Sequence, residues 1–440
     1  MKPLNKHYFL LFFVIFLFIP LSLFPQWREK MIIVSPMLFS TQLDAYIAEK
    51  EADNVDCRLI VVDSGESFQA VKQKITNLYA EFNADFLLLV GDFEHIPSFP
   101  VEEGLSDMQY GILSDDSTPE MAVGRFSVET AEHLQTMMQR SLVYKNCSKT
   151  VVGIASKQRS ELTQLTDFEQ VGQLNAFLET KGFHIAAELF AGVNETNPTY
   201  QDVQNVLNQG VTWVNYAGNG SYYGWNTSGF SNHHIDSLSN SGELPIILSA
   251  ACLNGYFAQR ECFAEKWLRA VSNGKPIGAR AVVMSSVLAD WDATLLGMRL
   301  MCENLPTSDD NCRLGTLYLQ GYQYIANELK RKKEAQCWLL FGDPSLWIYP
   351  PAETPIKEPH LTAQPDFLYP NPTTGKFSVF SFQFSEMSGE VEIYDVVGRK
   401  YNVGAKHILP NEEIEIDISH LANGLYFLKI DGKTVKVVKQ

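Results

Sequence analysis

The chain predicts an α/β fold, a mainly parallel sheet flanked by helices in two subdomains, followed by a small all-β sandwich. Three observations lead there. Short apolar runs alternate with stretches of helical period through residues 31–349, the rhythm of βαβ units. Two of those runs, VTWVNYA (211–217) and LPIILSAA (244–251), are rich in β-branched and aromatic residues and bounded by Gly, Asn and Ser, as strands covered on both faces require. Beyond residue 366 the pattern becomes alternating short strands separated by Asn, Gly and Pro turns, which reads as a β-sandwich.

In chain order, residues 1–26 read as a signal peptide. Lys2 and Lys6 precede an apolar run over 8–23 broken only by Pro20 and Ser22, the charge-then-apolar order of a secretory signal. Removal near Gln26 is expected, and retention of the run as an anchor is the alternative. The first subdomain, 27–148, opens with the strand MIIVSP, a helix over 42–52 and the strand CRLIVVD (57–63). A helix over 67–82 carries Phe68, Val71, Ile75, Leu78 and Tyr79 at three-and-four spacing, and FLLLVGD (86–92) follows as a buried strand.

The second subdomain, 149–349, begins with VVGIAS (151–156), a helix over 167–181, the strand HIAAELF and a helix over 200–208. The two central strands come next, then a helix bearing Glu265, Trp267, Leu268 and Val271. ARAVVMSS is a further strand ending before Asp290 and Trp291; a helix over 314–333 with a basic end and the run WLLFGDPSLWIYP close the unit. Residues 350–365 hold five prolines and no periodicity, so they form a linker. The sandwich occupies 366–440.

A chain of 440 residues with 45% hydrophobic content can build a large core and a further domain. Its net charge of −16 argues against nucleic acid or anionic lipid as partner, since both demand a basic surface. Seven cysteines leave at least one thiol without an intrachain partner, and none stands in the spacing of a zinc site.

In open sheets, ligands sit beyond the carboxyl ends of strands, which puts Asn219 and Cys252 in one crevice. A thiolate is a working nucleophile when a neighbouring imidazole takes its proton. The runs NYAGNGS, SAACLNGYF, ECFAEKWLRA, SDMQYGIL, MAVGRFS and WLLFGDPSLWIYP resemble the gingipain family of secreted cysteine endopeptidases. That resemblance implies a caspase-like fold, Cys252 as nucleophile, and the backbone N–H groups of Gly220 and Cys252 as oxyanion donors. It also implies that Asn219 stands where the family has its histidine and Gln158, in GIASKQRS, where it has a supporting acid. Asp167 matches the carboxylate that holds a substrate arginine, with a helix N-cap as the competing role, and Trp291 matches a pocket-lining tryptophan, with core packing as the competing role.

An amide cannot exchange a proton near neutral pH, so two amides at acid/base positions lead us to expect attenuated or absent peptidase activity. The alternatives are an active endopeptidase cleaving after Arg or Lys with a rescuing base from His233 or His234, and a surface peptide-binding pseudopeptidase. The chemistry requires no metal; Asp115, Asp116 and Glu120 form either a structural calcium site or a solvated loop rim. YPNP, EIYDVVG, LANGLYFLKI and the basic close at Lys433, Lys436 and Lys439 resemble the C-terminal sorting domain of the type IX secretion system of Bacteroidetes. The resemblance implies export to the surface or medium, with that secretion machinery and a protein or peptide as partners.

Overall fold

A computed structural model describes residues 28–114, 118–142, 148–193, 196–307, 312–348, 367–369, 373–380, 392–395, 399–401, 404–408, 413–430 and 433–439. The signal segment, the linker, Asp115 and Asp116 lie outside the described residues.

One ten-stranded sheet organises the larger part of the chain. Its strands are β1 (Glu29–Pro36), β2 (Val55–Val62), β3 (Phe86–Val90), β4 (Ala122–Phe126), β5 (Thr150–Ala155), β6 (His184–Phe190), β7 (Trp213–Ala217), β8 (Ile246–Ala250), β9 (Ala281–Ser285) and β10 (Trp338–Phe341). Across the sheet they run β2-β1-β3-β4-β10-β9-β8-β7-β5-β6. Every residue of β3, β4, β7, β8, β9 and β10 is buried, whereas at the two edges β2 mixes buried and exposed positions and β6 alternates exposed with half-buried ones. Continuous apolar runs thus mark interior strands, and HIAAELF alternates because it is an edge.

All pairings are parallel except β9 with β10. That single reversal sends the carboxyl ends of β5, β7, β8 and β9 to one side of the sheet and those of β1, β3 and β4 to the other. β10 meets β4 through one register pair, Phe341 with Arg125. The thin seam is reinforced by side chains. Buried Arg125 donates to both oxygens of Asp107 at 2.7 Å and to the Gly91 carbonyl at 2.7 Å, and Phe257 covers its guanidinium at 4.9 Å. Lys50 pairs with Asp343 in full burial, which removes the penalty of two isolated charges.

Helices cover both faces, among them α1 (Phe68–Phe82), α2 (Asp167–Thr180), α3 (Phe263–Arg269), α4 (Trp291–Asn304) and α5 (Leu314–Gln323). Two expectations are corrected here. Val271 is not helical: α3 ends at Arg269, and Val271 pairs with Pro276 in a two-residue ribbon. The helix expected over 314–333 stops at Gln323, continues as a π turn over Tyr324–Glu328, and resumes at Lys332–Gln336. Lys330 adopts φ 57° between them, a conformation no right-handed helix accommodates, so Arg331, Lys332 and Lys333 open the last short helix and do not close the expected one.

The C-terminal region forms two four-stranded antiparallel sheets. Phe377 and Ile416 from one sheet and Ile393, Leu428 and Val437 from the other share one apolar cluster, the packing of a sandwich.

Candidate active site

Three strand ends converge on one edge of the large sheet. Ala217 of β7 and Ala250 of β8 are register partners, and Ala155 of β5 pairs with Ala217 on its other side. Asn219 and Cys252 each lie two residues past that level, and Gln158 lies three past it. Neighbouring strands are about 4.8 Å apart, so the segment of Asn219 leaves the sheet between those of Gln158 and Cys252, one strand spacing from each.

Backbone geometry holds the strand ends close. Gly218 has φ 152°, and a Cβ there would stand 2.6 Å from Thr227 Oγ1 and 3.1 Å from Ser156. A Cβ on Gly220 would stand 2.8 Å from the Cys252 carbonyl oxygen. Leu253, directly after the cysteine, sits at φ 62°, a strained turn that lifts the preceding residue off the sheet. Asn254 then staples the two loops. Its Nδ2 donates to the Ser221 carbonyl at 2.7 Å and the Gly224 carbonyl at 3.2 Å, and its Oδ1 accepts from Ser249 Oγ at 3.1 Å.

Cys252 is partly exposed, and its only hydrogen-bond partner among the described residues is the Ala289 carbonyl, with Sγ at 3.6 Å. Burial pushes its thiol above the ordinary value, only partly offset by that contact. Among the described residues no imidazole or other cation contributes to that shift. The Asn219 side chain is exposed, while its carbonyl accepts from Tyr216 Oη at 2.7 Å and Asn226 N at 3.0 Å. Tyr216 lies flat on Trp225 at 4.5 Å, so the Asn219 backbone is fixed from beneath.

Gln158 is partly buried. Its backbone N–H donates to Ser156 Oγ at 3.1 Å, its carbonyl accepts from Asp167 N at 2.8 Å, and its Oε1 is buried without a hydrogen-bond partner. Asp167 is fully buried at the first position of α2 and accepts from Ser156 Oγ at 2.5 Å. Capping is done by Thr166, whose Oγ1 accepts from Glu169 N at 3.3 Å while Glu169 Oε2 accepts from Thr166 N at 2.7 Å. Asp167 is therefore relieved of the capping role that its sequence position allowed. Trp291 begins α4, with Asp290 as its cap.

His233 and His234 form a short helical turn and line a separate cavity of about 430 Å³ with Tyr200, Gln204, Asp236 and Ser237. The His234 ring stacks on Tyr200 at 4.1 Å, and its Nδ1 accepts from Ser231 N at 3.1 Å. Neither ring contacts Cys252. Glu120 Oε2 accepts from Leu113 N at 2.7 Å. No group of three metal-binding side chains is assembled among the described residues.

Sequence reading missed Ser156, Tyr216 and Asn254. Each is a polar residue within four positions of an apolar strand's end, where a buried hydrogen-bonding group needs a reason.

Residues 25–349 match the pattern of Peptidase family C25, and residues 367–440 match the Secretion system C-terminal sorting domain. Gingipain R2 of Porphyromonas gingivalis (strain ATCC BAA-308 / W83) is 27% identical over 345 residues, covering 72% of this chain and 46% of that protein. Lys-gingipain W83 of Porphyromonas gingivalis is 25% identical over 216 residues, 47% of this chain and 12% of that protein. The chain thus spans about half the length, or less, of these curated relatives. Among solved structures, the crystal structure of the Arg specific cysteine proteinase gingipain R has a TM-score of 0.67 at 23% identity, covering 94% of this chain and 97% of that one. The complex of Porphyromonas gingivalis RgpB pro- and mature domains gives a TM-score of 0.67 at 24% identity, with 94% and 100% covered. The sorting domain marks an exported chain, secreted or held at the cell surface.

Proposed function

Because the chain belongs to peptidase family C25, the gingipains, we propose that it is an attenuated or inactive member whose crevice binds arginine-bearing peptides. The observation that carries this reading is the environment of Cys252: a thiol pushed up by burial, with a carbonyl as its one hydrogen-bond partner and a carboxamide at the neighbouring strand end.

Amide hydrolysis by a thiol needs two proton movements. One proton must leave Sγ before attack, and one must reach the departing nitrogen. Asn219 can donate a hydrogen bond to a substrate carbonyl but can perform neither transfer. Gln158 cannot support a base as a carboxylate would. The remaining machinery of the family persists in the reading we propose: Gly220 and Cys252 amides face a substrate carbonyl, and Asp167 accepts a guanidinium bidentately from the depth of the groove. In the same reading Trp291 takes the pocket-lining role that the resemblance implies. Leu162, Tyr223 and Leu288 are exposed on the segments that follow β5, β7 and β9, and in this reading they offer apolar contact to a bound chain.

Export through the type IX machinery would deliver this groove to the cell surface or medium. No metal takes part in the binding chemistry, and a calcium ion at Asp115, Asp116 and Glu120 would be structural. An active enzyme that cleaves after Arg or Lys requires a base from elsewhere. The fixing of His234 by Tyr200 and Ser231 disfavours that reading. The test is an arginyl peptide assay run beside a thiol-directed arginyl affinity label. Labelling of Cys252 without turnover supports the pseudopeptidase, and brisk turnover abolished by Cys252→Ala contradicts it.

A further inference from the structure

The crevice has a cationic feature on its rim that the foregoing reading leaves unused. Gly220, packed on Cys252, begins a tight ribbon in which it pairs with Trp225 and Ser221 pairs with Gly224. Tyr222 and Tyr223 form the tip of that ribbon, one to two residues of extended chain from Ser221 at about 3.4 Å each. The other loop of the site rises to meet them. Tyr256, four residues after Cys252, sets its ring edge-on to Tyr222 at 5.6 Å, and Phe263 N donates to the Tyr222 carbonyl at 2.8 Å.

Arg260 lies across this tip. Its Nη1 donates to Tyr223 Oη at 2.7 Å, and its guanidinium carbon stands 5.4 Å from the Tyr222 ring centre and 5.8 Å from that of Tyr223. Two rings and a hydrogen bond therefore hold an exposed arginine in one pose, so little side-chain freedom is left to lose on binding. Among the described residues it makes no ion pair, in a chain carrying 16 excess negative charges. A guanidinium used for stability would be expected to meet one of those carboxylates. This one presents its remaining donors to solvent beside the peptide crevice, on the two loops that carry Asn219 and Cys252.

We propose that Arg260, positioned by Tyr222 and Tyr223, is a specificity-determining residue that selects peptides bearing a carboxylate within a few residues of the arginine seated at Asp167. The proposal rests on the peptide-groove reading above and names its second determinant. Planar, bidentate contact with an Asp or Glu side chain is what a fixed guanidinium recognises best. Because the residue is exposed, the preference is strong at low salt and screened at high salt.

The experiment is fluorescence anisotropy of the full chain with labelled heptapeptides that vary two features independently: arginine or citrulline at the centre, and glutamate or glutamine at each of the three positions on either side. In the native protein at low ionic strength, glutamate at one or more positions should tighten binding about five- to tenfold over glutamine. That gain should vanish in about 0.5 M salt and reverse in Arg260→Glu. Arg260→Lys should keep only part of it, since an ammonium lacks the planar fork. Equal binding of the glutamate and glutamine series, or a glutamate preference surviving in Arg260→Glu, overturns the proposal. Equal binding of the arginine and citrulline series instead overturns the reading of Asp167 and leaves the acidic preference to be judged on its own axis. Absence of binding by every peptide overturns both.

Discussion

In the reading proposed above, placing an imidazole at position 219 is the sharpest perturbation the crevice allows. Ala217 and Ala250 are register partners and residues 219 and 252 each follow by two, so an imidazole at 219 would leave the sheet one strand spacing, about 4.8 Å, from the segment that carries the cysteine. The Asn219 side chain is exposed, so Asn219→His should change stability by less than about 0.5 kcal/mol. Without a base, a thiol of pKa about 8.5 is roughly one-tenth ionised near pH 7.5, and burial takes Cys252 lower still. Proton transfer by a positioned side chain is worth about 10²–10⁴-fold. Asn219→His should therefore raise kcat/KM on an arginyl anilide about 10²–10⁴-fold, and adding Gln158→Glu should raise it further by orienting the ring. The assay is anilide release near pH 7.5, with Cys252→Ala in the revertant as control. Native activity within about tenfold of the double revertant would refute the argument that the amides disable proton transfer.

Other consequences can be read from stability and binding. Asp167→Asn should weaken an arginyl peptide by about 10²-fold relative to its citrulline analogue, measured by anisotropy; an unchanged ratio would mean that the guanidinium is read elsewhere. Asn254→Leu removes three hydrogen bonds and strands the Ser249 hydroxyl and two carbonyls, so it should cost about 3 kcal/mol in denaturant unfolding. Gly218→Ala forces a Cβ against Thr227 at a backbone angle unsuited to alanine, and a loss of about 2 kcal/mol or more is expected by the same measurement.

The fold was legible wherever one face of an element had to be buried. Runs such as FLLLVGD and LPIILSAA are apolar on both faces because helices cover both sides of the sheet, so they announced interior strands. The two central strands also end, side by side, at the residues singled out in the sequence. Direction and seam were hidden. Nothing in WLLFGD says that this strand enters in reverse between the two halves, because antiparallel insertion depends on which neighbour is vacant and not on local pattern. The break near Lys330 was likewise invisible, since Leu314 to Lys333 keeps a helical period up to a single left-handed residue. At the site, sequence marked Asn219, Gln158, Asp167 and Cys252, residues whose chemistry is conspicuous. It missed Asn254 and Ser156, whose importance lies in carbonyls and carboxylates brought near them by distant segments.

The central claim concerns the protonation of one sulfur atom, and the pH dependence of its alkylation tests that most directly. A buried thiol with a raised pKa is protonated below that value and becomes nucleophilic only as pH climbs through it. Iodoacetamide labelling of Cys252, followed by mass spectrometry across the acid and alkaline range, should rise steadily with its midpoint above that of an ordinary cysteine and show no plateau in the acid range. A plateau of full reactivity extending down to about pH 6 would reveal a thiolate held by a cation, and the account of a site without a base would be contradicted.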